Sequence, residues 1–376
     1  MNKAIKYRIY PTTEQKILFA KTFGCCRKVY NLMLADKIAG YKTTGVFPTV
    51  TPAKYKKDYP YLKEVDSLAL ANKQMDLQAA FCNTFSKSRK SNNGFPKFKS
   101  AKHSRKAYTT NCQYPKPSNK LKRPTIRIED NTLILPKVGK VKTVLHRLPA
   151  KDWLIKSVTV SMDSDGKFYA SVLFEYESSV SPVQKLDNAV GLDYKSDGLY
   201  MDSNGNVGNN HKYFRESHDK LAKLQRSLKH KTIGSMNYRK QQLRINRLHK
   251  HIACQRIDNL HKLSTKIANS YDVVCVESLN MRSMSNKAFG NGKSTMDNGY
   301  GMFLNMLEYK LSDRGKHFVR VDKWYPSTQL CSCCGSRKKL ALNERVYKCS
   351  CGLNINRDLN SAINIRNEGL RILAAA

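Results

Sequence analysis

The sequence is short of acid. Its 376 residues include 29 Asp and Glu against 67 Lys and Arg, a formal net charge of +38. Charge of that size does not fix a fold, but such self-repulsion calls for a polyanionic partner. Long apolar runs are also missing: nothing approaches the roughly 18 residues of a membrane span. Met1 to Tyr10 alternates charged and apolar residues, so it lacks the core of a signal peptide. No basic amphipathic stretch leads into an anchoring apolar run, which makes an anionic membrane a poor partner and nucleic acid the strong one. No internal repeat or low-complexity tract appears. These absences lead us to expect a cytoplasmic protein in a reducing compartment, with no disulfide framework and no membrane contact.

Length allows two or three domains with their own cores. A strand is expected at Ala4 to Tyr10, stopped by Pro11. Thr12 and Gln15 then have the spacing of a capping box, opening a helix with Ile17, Phe19, Phe23, Val29, Leu32 and Met33 at apolar positions. A second helix starts near Ser67, with Leu68, Ala71, Met75, Ala79 and Cys82 at helical spacing. Helices therefore dominate residues 12 to about 90, followed by a basic stretch from Lys87 to Lys106 that contains Phe95, Pro96 and Phe98. Two β-rich runs, Ser157 to Met162 and Lys167 to Tyr176, flank Asp163-Ser164-Asp165-Gly166, a hairpin signal. Residues 107 to 180 thus form a small β-domain that could pair with the N-terminal strand. From 188 onward strands alternate with helices, the order of an α/β domain. Residues 213 to 270 are almost wholly helical, with Leu243, Leu248, Ile252, Leu260, Leu263 and Ile267 lining one side.

Three carboxylates fall at the ends of separate elements: Asp193 after AVGL, Glu277 after VVCV, and Asp358 at the start of a C-terminal helix. Two-metal phosphodiester cleavage needs converging carboxylates on rigid elements to hold Mg²⁺ ions about 3.5–4 Å apart. An acid at a strand end is commonly just solvated, and Asp197, Asp202 and Asp322 compete for the same roles.

The chain has eleven Cys, and five of them fall between 331 and 351. Cys331, Cys334, Cys349 and Cys351 suit one structural, four-thiolate Zn²⁺ site, which would supply folding energy to a ribbon too basic and small to hold itself. The second pair is C-x-C, with a single residue between its cysteines, so Cys333 competes for the fourth position. Cys25, Cys26, Cys82, Cys112, Cys254 and Cys275 are scattered and read as small packing residues.

Basic side chains stud 213 to 270, with few acids to compensate. Arg226, Arg239, Arg244 and Arg247 there, together with Lys73, Lys97 and Lys99 nearer the N-terminus, are the candidate nucleic-acid contacts. Phosphate neutralisation by such arrays makes binding steeply salt-dependent. His249 and His251 flank Lys250 on this helix, and no His-hydrophobe-His motif of a tyrosine transposase is present.

The segments LAKLQRSL, DVVCVESLNM, DNGYGMFLNMLEYKLSDRGK, VDKWYPSTQLCSCCG and NRDLNSAINI, with KAIKYRIYPTTEQ and GFPKFKS, resemble the TnpB (OrfB) family of transposon-encoded nucleases, relatives of compact type V CRISPR effectors. The likeness covers nearly the whole chain and is thinnest over 40–65 and 107–180. It implies a multidomain α/β protein. A β-barrel wedge domain (1–10 and 107–185) is interrupted by a helical recognition domain (11–106). A RuvC-like, RNase H-like nuclease domain (186–326 and 355–376) is interrupted by a zinc ribbon (327–354). The resemblance also implies a guide RNA from the transposon end, a double-stranded DNA target beside a short adjacent motif, and Asp193, Glu277 and Asp358 as the catalytic, Mg²⁺-holding acids. A monomer is expected. The sequence departs from the family pattern at Ser278, at Asn356 and at Tyr194-Lys195, none of which removes a catalytic carboxylate. The expected activity is Mg²⁺-dependent RNA-guided DNA cleavage; a nuclease-silent RNA-guided repressor and a transposase accessory protein are the alternatives.

Overall fold

The structure is a computed structural model that describes every residue except 86–93, 119–120, 178–179, 185, 287–291, 342 and 376, and the side chain at 282. Lys87, which opens the basic stretch, and the expected domain boundary at 185 lie outside the described residues. The chain divides into two compact units, Met1–Ser178 and Ser179–Ala376. No helix among the described residues is long and apolar enough to cross a membrane.

The first unit opens with β1 (Asn2–Tyr10) and α1 (Thr13–Thr44). Thr12 caps α1 as its spacing predicts: its hydroxyl accepts from Gln15 N, and the Gln15 side chain accepts from Thr12 N at 3.0 Å. That reciprocal pair satisfies two amides that a helix start leaves unpaired. Two short 3₁₀ turns lead to α2 (Ser67–Phe85). This helix exists where expected but buries a different face. Ala69, Leu70, Leu77 and Phe81 are buried, whereas Met75 is 65% exposed and Ala71, Ala79 and Cys82 face solvent. The sequence has two apolar stripes at helical spacing, and the larger side chains of the second win the packing against α1. Ile17 on α1 is likewise exposed, while Phe19, Phe23, Val29 and Met33 enter the core.

Seven strands then share one antiparallel sheet. They are β1, β2 (Lys106–Asn111), β3 (Arg127–Glu129), β4 (Thr132–Leu135), β5 (Gly139–Val144), β6 (Leu154–Met162) and β7 (Phe168–Glu175). Their order is β2-β6-β7-β1-β5-β4-β3, so the N-terminal strand sits in the middle, between β7 and β5. The β6–β7 hairpin turns at Gly166, whose φ of 80° needs a residue without a Cβ.

The second unit contains β8 (Ala189–Tyr194), β9 (Tyr200–Asp202), α3 (Tyr213–Glu216), α4 (His218–Lys229), α5 (Met236–Ser270), β10 (Val273–Glu277), α6 (Met281–Met284), α7 (Gly292–Asn298), α8 (Tyr300–Ser312) and β11 (His317–Val321). After these come β12 (Val346–Lys348), β13 (Asn354–Asn356) and α9 (Arg357–Ala374). The main sheet has the order β11-β10-β8-β9; β8, β10 and β11 are parallel and β9 runs against β8. Helix α9 lies directly on β8 and β10. A Cβ at Gly191 would come 2.1 Å from the Ala362 carbonyl oxygen, and one at Gly369 would come 2.2 Å from Cys275 Sγ. Glycine at these two points lets helix and sheet approach closely, and that contact sets where the first turn of α9 lies. A small antiparallel pair, β12–β13, precedes α9.

Candidate functional site

Parallel strands align their C-terminal ends on one edge, and ligands of α/β sheets collect there. Leu192 lies beside Val276, and Glu277 beside Val321, so Asp193 and Glu277 end neighbouring strands at that edge. Asp358 comes from the first turn of α9, where the helix dipole favours an acid. Asn356 caps this helix: its side-chain oxygen accepts from Asp358 N at 2.9 Å and Leu359 N at 3.2 Å. The departure at Asn356 therefore has a structural use.

Asp193 feels the other two acids. Asp193 is 8% exposed; burial first, then the charges of Glu277 and Asp358, push its carboxyl up to about 8. Burial alone pushes Glu277 up to about 7. Tyr300 is fully enclosed beside them, and burial, Asp193 and Glu277 all raise its phenol. The carboxylate oxygens do not all come within 4.8 Å of one another. Asp358 is drawn instead toward Lys195, whose Nζ lies 3.6 Å from its Oδ2. Buried Asp193 with half-buried Glu277 and Asp358 is a set of hard oxygen donors that suits a hard divalent cation such as Mg²⁺.

The rival acids are differently employed. Asp202 is buried and spends its oxygens on Asn204 N, Asn206 N and Asn206 Nδ2, at 2.8–2.9 Å. Asp197 has a side chain 75% exposed. Asp322 is exposed, and its Oδ1 accepts from Trp324 N at 2.8 Å.

Sγ atoms of Cys331, Cys334, Cys349 and Cys351 all lie within 4.8 Å of one another. Cys331–Cys351 and Cys334–Cys349 are each 3.6 Å apart. A tetrahedral zinc with bonds of ~2.3 Å would set its sulfurs roughly 3.8 Å apart, so these residues can hold Zn²⁺. Cys333 is exposed and outside the set. The C-x-C pair reaches the cluster because Gly352, with φ 92°, turns the chain sharply, as Gly335 does after the first pair. Hydrogen bonds with Ser336, the side chain first, draw the Cys334 thiol down to about 6, which favours the thiolate a metal needs. Asn360 and Asn364 of α9 tie this loop to the helix that bears Asp358. Asn360 Oδ1 accepts from Ser332 N, and both amides donate to the Leu330 carbonyl at 2.6 and 2.8 Å.

The basic candidates divide. Arg226, Arg239, Arg244 and Arg247 are exposed on α4 and α5, where α5 has eight Lys and Arg against the single acid Asp258. His249 and His251 are exposed there as well. In the first unit Lys97 is exposed, but Lys73 is paired with Asp76 at 2.6 Å and Lys99 sits 3.6 Å from the Tyr30 ring centre. Lys73 and Lys99 line a cavity of 340 Å³ with Arg27, Arg105 and Lys106.

The chain is similar to known proteins over nearly its whole length. Residues 171–288 match a family model described as "Probable transposase" (OrfB), and 300–365 match the TNB domain of Cas12f1-like proteins. A Streptomyces pristinaespiralis protein named "Putative RNA-guided DNA endonuclease" is 33% identical over 98% of this chain and 90% of its own. The chain belongs to the TnpB (OrfB) family. InsQ of Escherichia coli, of the same printed description, is 30% identical over 99% of this chain and 93% of its own. The fold resembles a solved Cas12f1–sgRNA–target DNA complex, with TM-score 0.57 at 12% identity, covering 98% of this chain and 99% of that one. A helix-turn-helix family model matches residues 1–45, which in this TnpB-family chain form β1 and the single long helix α1.

Reading the sequence alone misses the surroundings of the acids: Lys195, Tyr300, Asn360 and Asn364. Lys195 stands two residues after Asp193, at a noted departure from the family pattern. Tyr300 lies within the quoted DNGYG segment. Neither position declares from spacing which way its side chain turns.

Proposed function

We propose that this chain is an RNA-guided DNA endonuclease that cuts its target beside a short adjacent motif, with Asp193, Glu277 and Asp358 as the catalytic acids. The observation that most supports this reading is the carboxyl edge itself. Burial and the charges of Glu277 and Asp358 lift Asp193 to about 8, a cost a protein bears where a cation or a reaction compensates it. Two Mg²⁺ ions held by these acids would supply a hydroxide nucleophile and stabilise the departing oxygen. Asp193 and Glu277 act from adjacent rigid strands, and Asp358 acts from a helix start fixed by its cap and by close packing on the sheet. Lys195 offers a positive group at the same edge, suited to holding a phosphate oxygen near the acids. The β11-β10-β8-β9 order, with an antiparallel β9, supports a RuvC-like nuclease domain at 186–326 and 355–376.

We further assign residues 327–354 to a Zn²⁺ ribbon, 1–10 and 107–185 to a wedge domain, and 11–106 to a recognition domain. The partners are a guide RNA from the transposon end and double-stranded DNA, and the working form is a monomer in the cytoplasm, associated with the nucleoid. Base pairing would read sequence while the protein holds heteroduplex shape. The exposed arginines of α4 and α5 would track its phosphates. The test is to sequence the RNA that co-purifies with the protein and then replace its guide segment. Cleavage should follow the new guide in magnesium and stop in calcium, with binding retained. Cleavage that ignores the guide would overturn guidance.

A further inference from the structure

Trp324 is the most exposed aromatic ring among the described residues, at 79%. Single exposed apolar residues are ordinary, but this one is held and placed. Its amide donates to Asp322 Oδ1 at 2.8 Å, and Tyr325 N closes the turn on the Asp322 carbonyl at 3.1 Å. Tyr325 packs into the core beneath β10 and β11, so the turn is anchored on one side while the indole stands outside. Lys323 Nζ lies 4.6 Å from the indole centre, adding a cation to the ring. The turn directly follows Val321, the residue in register with Glu277, and Ser278 N donates to the Val321 carbonyl. The exposed ring is thus three residues beyond the strand end that neighbours a catalytic carboxylate.

We propose that Trp324, with Lys323, is a stacking platform for an unpaired DNA base on the strand that enters the carboxylate edge. This rests on the nuclease reading above. An exposed ring with an ammonium over one face matches a base with its adjoining phosphate, and aromatic stacking of this kind accepts any base. Duplex DNA, whose bases already stack on one another, offers the ring no free face. The platform therefore selects single strands at the point where only a single strand can be cut.

The chain has two tryptophans, and the other, Trp153, stacks on Tyr176 in the first unit. A full-length Trp153→Phe protein carrying its co-purified RNA therefore reports Trp324 alone by fluorescence. With calcium in place of magnesium, short oligo(dT) should quench that emission saturably, and a duplex of equal length should not. Anisotropy of labelled oligo(dT) should show binding weakened about fivefold or more by Trp324→Ala. Trp324→Phe, which keeps a stacking ring, should bind far more nearly like the parent. Thermal stability should be unchanged in both, since the indole is exposed. Unchanged emission at saturating oligo(dT), equal quenching by duplex, quenching already complete with RNA alone, or equal losses for Ala and Phe would each overturn the proposal. None of these readouts requires cutting, so the result stands apart from the fate of the carboxylate assignment.

Discussion

Asp193 makes a claim about pH as well as about chemistry. Its carboxyl stands near 8 in the folded chain against 3.8 ordinarily, and Glu277 stands near 7 against 4.5. The native state therefore holds protons that the unfolded chain releases, and stability falls as pH rises from about 4 to about 8. With no divalent cation present, the melting temperature should drop across that window. Asp193→Asn should flatten the drop, and adding Mg²⁺ at pH 8 should raise the melting temperature of the parent more than that of the variant. Identical pH profiles for the two proteins, followed by calorimetry, would contradict the burial argument. Lys195 belongs to the same set of charges: at 3.6 Å from Asp358 it competes with any cation there. Lys195→Met should tighten Mn²⁺ binding measured by electron paramagnetic resonance, and looser binding would count against that competition.

At the scale of elements, packing decides what periodicity leaves open. The capping box at Thr12 and Gln15 was legible because both partners lie within one turn and need nothing else. The strand ends at Asp193 and Glu277 were legible because short apolar runs, AVGL and VVCV, stop at charges. The buried face of α2 was not: Leu68, Ala71, Met75 and Ala79 and the true set of Leu70, Leu77 and Phe81 both fit a helical period, and only the neighbouring α1 distinguishes them. Cys351 was named with Cys331, Cys334 and Cys349 from the sequence and does join them, but spacing left Cys333 as a competitor, and only the turn with left-handed backbone at Gly352 separates the two. Cys351→Ser should abolish zinc in elemental analysis while Cys333→Ser keeps about one ion per chain; the reverse would assign the ligand wrongly. Gly191→Ala should be among the most damaging small changes in the chain. Its new methyl meets the α9 backbone at 2.1 Å, so helix and strand must part at a cost of at least the 1–3 kcal/mol typical of overpacking, about that or more. A denaturation midpoint equal to the parent's would show that α9 does not press on β8.

For the whole molecule, charge and chemistry are separable. The +38 excess is spread over both units, while the carboxyl edge belongs to the second alone. Affinity for nucleic acid should therefore fall steeply with salt, with log K linear in log salt concentration, and be little altered by loss of one acid. The measurement that bears most directly on the account is guide-programmed plasmid cleavage, paired with gel-shift binding, across six variants. Asp193→Ala, Glu277→Ala and Asp358→Ala should each abolish cutting and leave binding nearly intact. Asp197→Ala, Asp202→Asn and Asp322→Asn should retain substantial cutting; the two Asn changes preserve the turns those side chains cap. Parental cleavage by Glu277→Ala, or a folded Asp322→Asn that binds but cannot cut, would contradict the site.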